Sequence, residues 1–144
     1  MIALDANLLV YAHRGEAHWY RKAHQVLREL AESRAPWAIP YPCIHEFLRN
    51  VTDPRIYATP TSLDAALDQV SIWAEAPALR LLAEGQRHLA RLANISLAGD
   101  IRGAMIHDAR IAAICLEHGV SELWTADRDF GRFPTLKTRN PLVG

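Results

Sequence analysis

The sequence predicts an α/β fold in which helices cover both faces of a central, mostly parallel sheet. The candidate strands are short and continuously apolar, and stretches with helical periodicity separate them, which is typical of parallel sheets. The chain length of 144 residues matches the usual size of one domain. We therefore expect a single domain over residues 1–144.

The composition is that of a globular domain without an excess of basic residues. Half of the residues are apolar and 22% are charged, which is ordinary for a globular domain. Lysine and arginine together number 16, and so do aspartate and glutamate together, so the chain has no net charge. Because no overall basic field attracts nucleic acid, any binding to nucleic acid would have to depend on a local site. No signal peptide or apolar run of about 20 residues is present, so we expect a cytoplasmic protein that does not contact the membrane. The two cysteines lack CxxC spacing, which argues against a disulfide framework or a zinc site.

The first predicted elements alternate between strand and helix. An apolar run at residues 2–4 predicts a strand stopped by Asp5, and residues 8–11 continue as a short helical turn. Apolar residues at spacings of three and four predict an amphipathic helix over 18–33. The apolar residues 37–39, which lie between two prolines, predict a second strand.

The middle of the chain continues this alternation. Pro42 suits a first helical position and predicts a helix over 43–51. Residues 61–64 resemble a capping box and predict the start of a helix that runs to residue 74, while 79–81 is a weak strand. The apolar residues expected on one side of the 61–74 helix are Leu63, Leu67, Val70 and Trp73.

The last predicted elements include the most apolar helix of the chain. Residues 86–97 have a helical pattern. Residues 105–117 are apolar almost all round, as expected for a core helix. Gly119 is expected to supply a left-handed C-terminal cap, and residues 120–125 then form the next strand.

Four carboxylates stand out by position. Asp5 and Asp127 follow the last apolar residues of two strands, and ligands bind beyond the carboxyl ends of such strands. Glu46 has apolar neighbours, and Asp108 opens the most apolar helix. If the four meet, each pair repels by about 4 kcal/mol at about 4 Å and an effective dielectric near 20. A divalent cation would relieve this repulsion, and ligation by oxygen alone suits Mg²⁺ or Mn²⁺.

Several segments then occur in a definite order along the chain. They are Asp5-Ala6-Asn7, Glu46 with Arg49, Asp108–Ala113 leading to Glu117-His118-Gly119, and Thr125–Phe130 closing with Asn140-Pro141. Together they resemble the PIN-domain nucleases, most of all the VapC-type ribonuclease toxins of bacterial toxin–antitoxin pairs. The resemblance implies a three-layer α/β/α sandwich, an endoribonuclease that depends on Mg²⁺ or Mn²⁺, a homodimer, and a small antitoxin protein that blocks the site. It also implies products with 5′-phosphate and 3′-hydroxyl ends.

The resemblance also implies a role for each acidic residue. Asp5, Glu46, Asp108 and Asp127 fall on the acidic positions of the family and are the expected metal ligands and catalytic residues. Asp5 and Asp108 are the strongest candidates. Asp129 falls on a frequent fifth acidic position and is expected to be catalytic, although it could instead hold its loop.

Other polar residues would support these acids. Asn7 and Thr125 are expected to hydrogen-bond to the carboxylates and orient them. Arg49 and Arg110 are candidate contacts to RNA phosphate, although each has the alternative of an ordinary ion pair or an exposed position. Ala6 departs from the family, in which threonine or serine is common at this position.

Structural and functional alternatives remain open at this stage. Asp5 and Asp108 could cap helices, and Glu46 could lie on a solvated face. The chain could also be a PIN nuclease that processes RNA without being a toxin, a metal-dependent phosphatase or an inactive PIN-like binding module. Asn7 stands where phosphatases of the DxD type carry a second acid, which argues against the phosphatase. The full set of acids argues against an inactive module.

Overall fold

The computed structural model describes residues 1–144 and contains a five-stranded sheet in which all strand pairs are parallel. The strands are β1 (Ile2–Leu4), β2 (Trp37–Pro40), β3 (Leu79–Leu82), β4 (Glu122–Trp124) and β5 (Thr138–Arg139). The helices are α1 (Ala6–His13), α2 (Tyr20–Glu32), α3 (Tyr41–Val51), α4 (Leu63–Ala74), α5 (His88–Ala98) and α6 (Met105–Glu117), followed by a 3-10 helix at Arg128–Arg132.

The order of the strands separates the helices into two layers. The order is β3-β2-β1-β4-β5, so the chain first moves from β1 outward to β3 and then crosses to β4 on the other side of β1. Because parallel crossovers are right-handed, α1 to α4 cover one face and α5 and α6 cover the other. Contacts of α1 with α2 and α3, and of α5 with α6, fit these layers. The predicted α/β/α sandwich with a parallel sheet is confirmed.

The pairing of β1 with β4 brings two polar residues to the same edge. Ile2 pairs with Glu122 and Leu4 with Trp124, so Asp5 and Thr125 leave the sheet side by side. The backbone N–H of Asp5 donates to the carbonyl of Trp124 at 3.0 Å. Strand order reverses between β1 and β4, and such a switch point is where open α/β sheets bind ligands.

Helix α6 supplies much of the core, as its sequence predicts. Residues 111–115 are all buried in it, and it contacts β2 and the 3-10 helix. Gly119 ends the helix with φ +70°, the left-handed conformation expected there. None of the helices combines the length and the apolar composition that a bilayer-spanning segment needs.

The expectation for helix α4 is only partly correct. Ala66 is buried and Val70 and Trp73 pack against the core, but Leu63 is 60% exposed and Leu67 is 44% exposed. The reason is topological: α4 packs on α3 and on β3, and β3 is an edge strand with nothing beyond it to cover the outer leucines.

The structure also contains elements that the sequence did not predict. The short turn expected at residues 8–11 is the full helix α1, and the predicted helix at 43–51 begins two residues earlier, at Tyr41. The 3-10 helix after β4 and the two-residue strand β5 were both missed. Strand β5 is too short for any periodicity, and it is defined only by its pairing with Leu123 and Trp124.

Candidate metal centre

The predicted acids lie on four different elements around the switch point. Asp5 follows β1 and caps α1, since its Oδ1 accepts from the Ala6 N–H at 2.7 Å. Asp127 follows β4 and caps the 3-10 helix by accepting from the Asp129 N–H at 2.9 Å. Asp108 lies in the first turn of α6 without capping it, and Glu46 lies in α3. Asp5 and Asp127 therefore each cap a helix and also lie at the switch point.

Three of the carboxylates form a tight cluster. Asp108, Asp127 and Asp129 each place a carboxylate oxygen within 4.8 Å of the others. Burial is the main cause that raises the pKa of Asp108 from 3.8 to about 6, and the charges of Asp127 and Asp5 raise it further. Asp108 and Asp127 are half-buried and Asp129 is exposed, so the cluster opens to solvent on the side of Asp129.

Asp5 is the buried member of the group, with 5% of its surface exposed. Its Oδ2 accepts from the Thr125 hydroxyl at 2.7 Å and from Asn7 Nδ2 at 3.2 Å, and the Cys43 thiol lies 3.5 Å from Oδ1. Burial raises the pKa of Asp5, while the hydrogen bonds from Thr125 and Ala6 lower it and so favour the carboxylate.

Thr125 and Asn7 connect Asp5 to the loop that carries Asp127. The Thr125 hydroxyl accepts from Asn7 Nδ2 at 3.1 Å and from the Asp127 N–H at 3.0 Å. Asn7 Oδ1 accepts from the Ala126 N–H at 3.2 Å. Both ends of the Asn7 amide are therefore used, and the two side chains hold β1 and β4 in one fixed arrangement. Such contacts are typical of groups that orient carboxylate ligands.

A cavity of about 220 Å³ joins Asp5, Glu46, Asp108 and Asp127. Partial burial raises the pKa of Glu46, and the charge of Asp5 raises it further, whereas Arg49 opposes the shift. Four acids from four elements thus share one cavity. We call it the acidic cavity.

A second cavity of about 440 Å³ continues from the acidic cavity between α3 and α6. It shares Glu46 and Asp108 with the acidic cavity and is also lined by Arg49 and Arg110, the two arginines predicted to contact RNA. The Arg110 guanidinium pairs with Glu84 and is itself half-buried, whereas Arg49 is exposed and forms no ion pair. We call this space the basic groove.

The donor set fits a divalent cation that prefers oxygen. None of the six ion pairs of the structure involves any of the five acids, so their charge is left uncompensated by lysine or arginine at close range. All the clustered ligand atoms are carboxylate oxygens, which suit Mg²⁺ or Mn²⁺ better than zinc.

Comparison with known proteins agrees with this arrangement. The PIN domain family matches residues 2–136. The chain belongs to the PIN-domain family. Ribonuclease VapC43 of Mycobacterium tuberculosis is 36% identical over 144 residues, which cover 100% of this chain and 97% of that protein. Ribonuclease VapC33 of the same organism is 34% identical over 146 residues, which cover 99% of each chain.

Solved structures share the fold of this PIN domain. VapBC2 from Rickettsia felis, bound to a DNA fragment from its promoter, matches with a TM-score of 0.71 at 19% identity, over 97% of this chain and 98% of that one. VapC20 of Mycobacterium tuberculosis, described as a Sarcin-Ricin loop cleaving toxin, matches with a TM-score of 0.66 at 15% identity, over 91% and 93%. At these identities the similarity concerns the fold alone.

The acidic cavity of this PIN domain also contains residues that sequence reasoning missed. Tyr11, Asn50 and Tyr57 line it beside the acids. Asn50 lies one helical turn after Glu46 on α3, which is the only signal in the sequence that would have found it. Tyr57 lies in the loop between α3 and α4, and no pattern in the sequence places that loop near the acids.

Proposed function

We propose that this protein is one nuclease domain, residues 1–144, which hydrolyses RNA phosphodiester bonds with a divalent metal and acts as the toxin of a toxin–antitoxin pair. The acidic cavity at the switch point carries the proposal, since four elements bring acids to one space and none of these acids forms an ion pair. The 36% identity to Ribonuclease VapC43 over the whole chain supports RNA as the substrate.

The acids would hold Mg²⁺ or Mn²⁺. Asp108 and Asp127 are the proposed central ligands, and Asp5 at the end of β1 and Glu46 of α3 complete the set. Asp129 joins the proposed set because its carboxylate lies within the tight cluster. When bound, the metal would lower the pKa of an attacking water and stabilise the departing oxygen of the phosphodiester.

The residues of the chain have separate tasks in this proposal. Thr125 and Asn7 donate to Asp5 Oδ2 and fix the orientation of its carboxylate. Glu46, whose pKa is raised, accepts a proton from the attacking water at its carboxylate. Arg49 and Arg110 bind the phosphates of the strand in the basic groove. Attack in line with the departing oxygen requires no covalent enzyme intermediate and leaves 5′-phosphate and 3′-hydroxyl ends.

The proposal includes protein partners. A small antitoxin would block the acidic cavity, and a second copy of the chain would form a homodimer in the cytoplasm. Exposed apolar side chains on α4 and α5 are available for such contacts: Ile72 is 61% exposed, Leu89 is 77% exposed and Leu97 is 83% exposed. The similarity to the VapC ribonucleases supports an antitoxin as one of these partners.

Cleavage of total cellular RNA by the purified protein tests the proposed activity. We expect discrete fragments with Mg²⁺ or Mn²⁺, none with chelator, and none with Asp108→Asn. The matched control is Asp68→Asn, which removes an exposed aspartate of α4 that forms no ion pair and should cleave like wild type. A folded, metal-loaded and antitoxin-free wild type that cleaves no RNA would contradict the proposal.

A further inference from the structure

Tyr57 stands between the acidic cavity and a second, outer cavity. The outer cavity measures about 600 Å³ and lies between the end of α1 and the loop after α3. Tyr57 lines both spaces, whereas Arg14 lines only the outer one. The Arg14 guanidinium lies over the Tyr57 ring at 4.0 Å from its centroid. The guanidinium therefore covers one face of the ring, and Tyr57 also borders the acidic cavity.

The ring is held in place by several contacts. The Tyr57 hydroxyl donates to Asn50 Oδ1 at 2.7 Å, which ties the loop to α3. Arg14 donates to the carbonyl of Thr59 at 3.0 Å and to the Thr61 hydroxyl at 3.2 Å, which fixes the guanidinium over the ring. An aromatic side chain held in this way loses little further conformational entropy when a planar ligand stacks on it.

Asn50 presents free donors beside that ring. Its Oδ1 accepts from Tyr57, so the amide is oriented with Nδ2 on the other side, and Nδ2 donates to no protein atom in the structure. Asn50 lines the acidic cavity together with Glu46, one turn earlier on α3. An aromatic ring and an oriented hydrogen-bond donor thus line the same cavity as the acids, and neither belongs to the proposed set of metal ligands.

We propose that Tyr57 and Asn50 form a subsite for one unpaired nucleobase of the RNA beside the cleaved phosphate. The base stacks on the Tyr57 ring, and Asn50 Nδ2 donates to a carbonyl oxygen on the edge of the base. Uracil, cytosine and guanine carry such an oxygen and adenine does not, so the subsite discriminates against adenine. This inference rests on the proposed ribonuclease function, and it makes these two residues determinants of specificity.

The inference agrees with the way in which proteins in general bind single-stranded nucleic acid. Bases stack on aromatic side chains in sites that read single strands, and a duplex does not offer an exposed base face to such a ring. The basic groove on the other side of Glu46 binds phosphates without reading bases. The acidic cavity would then lie between a base-reading side and a phosphate-binding side.

Measuring the affinity of the protein for short RNA in buffer that contains Ca²⁺ tests the subsite without requiring cleavage. The probes are fluorescently labelled hexaribonucleotides of uridine, cytidine or adenosine and an abasic hexamer, with affinity measured by fluorescence anisotropy. We expect Tyr57→Leu to weaken binding of the uridine hexamer by about 10- to 100-fold, as for loss of one stacked base. The abasic hexamer should bind weakly and equally to wild type and Tyr57→Leu. Tyr20→Leu, which changes a tyrosine of α2 that lines neither cavity, should bind like wild type.

Conservative variants keep the test decisive if Tyr57→Leu fails to fold. Tyr57→Phe retains the ring and loses the hydroxyl that orients Asn50, so we expect a small loss of affinity and a weaker preference for uridine over adenosine. Asn50→Ala should reduce that preference in the same way. Unchanged affinity and preference in both variants would overturn the inference, as would an equal loss on the abasic strand.

The same variants separate this inference from the proposed function. If wild type cleaves RNA with Mg²⁺ while the Tyr57 and Asn50 variants cleave the same bonds at unchanged kcat/KM, the subsite is wrong and the nuclease stands. If binding depends on Tyr57 and on the base while no RNA is cleaved, the subsite stands and the nuclease is wrong.

Discussion

Replacing Asp108 with asparagine is expected to stabilise the metal-free protein at neutral pH. Burial, followed by the charges of Asp127 and Asp5, raises the pKa of Asp108 from 3.8 to about 6. Because the pKa in the folded state lies above its value in the unfolded chain, the native state binds more protons between about pH 4 and pH 6. The free energy of unfolding therefore falls as the pH rises through this window. Asparagine carries no charge and removes the penalty.

The magnitude follows from the same shift. A rise in pKa from 3.8 to about 6 corresponds to about 3 kcal/mol. Asp108 is half-buried, so screening by solvent lowers this figure. The N-terminus of α6 also favours an acid in its first turn by about 0.3–1 kcal/mol. We therefore expect a net gain of about 1 kcal/mol above pH 6, or about 3 °C in Tm.

Thermal unfolding followed by circular dichroism in EDTA measures this effect. At pH 7.5 the Tm of Asp108→Asn should exceed that of wild type, and at pH 4 the two should coincide. Asp68→Asn, the exposed control on α4, should match wild type at both values. Excess Mg²⁺ should raise the Tm of wild type more than that of the variant, because the variant lacks one of the proposed ligands. A variant that is less stable than wild type at pH 7.5 in EDTA would refute the electrostatic reasoning.

Three further predictions concern neighbouring residues. Thr125→Val removes the buried 2.7 Å hydrogen bond to Asp5 and should lower the free energy of unfolding by about 1–3 kcal/mol in urea titrations, with a large loss of RNA cleavage. Arg110→Ala should weaken RNA binding for all sequences alike and reduce the slope of log affinity against log salt by about 1. Cys43 and Cys115 are buried with raised pKa values, so a thiol reagent at pH 8 should modify them only after unfolding.

The fold could be predicted where the sequence pattern depends on burial. Strand β1 and helix α6 are apolar because the core surrounds them, and their positions follow directly from the sequence. The position of Asp5 and Asp127 at one edge follows from the rule for parallel strands. Helix α4 shows the limit of this reasoning, because its apolar stripe is wider than the neighbour that covers it.

The site could be predicted where residues follow regular elements or family motifs. Asp5, Asp108 and Asp127 have such positions, and so do Asn7 and Thr125. Tyr57 does not, because its place beside the acids depends on Arg14 holding the α3–α4 loop against the end of α1. A contact between distant polar side chains leaves no period in the sequence, so the base-binding side of the cavity could be found only in three dimensions.

The site combines two electrostatic arrangements that respond oppositely to mutation. Asp5 is buried and stabilised by donors from Thr125, Asn7 and the backbone, so removal of a donor should destabilise the fold. Asp108 faces other carboxylates without a compensating cation, so removal of its charge should stabilise the metal-free fold. A set of acids kept only for structure would lose stability in both cases. If Thr125→Val lowers the free energy of unfolding and Asp108→Asn raises it, the repulsion at Asp108 is a cost to stability that the fold bears in order to bind a cation.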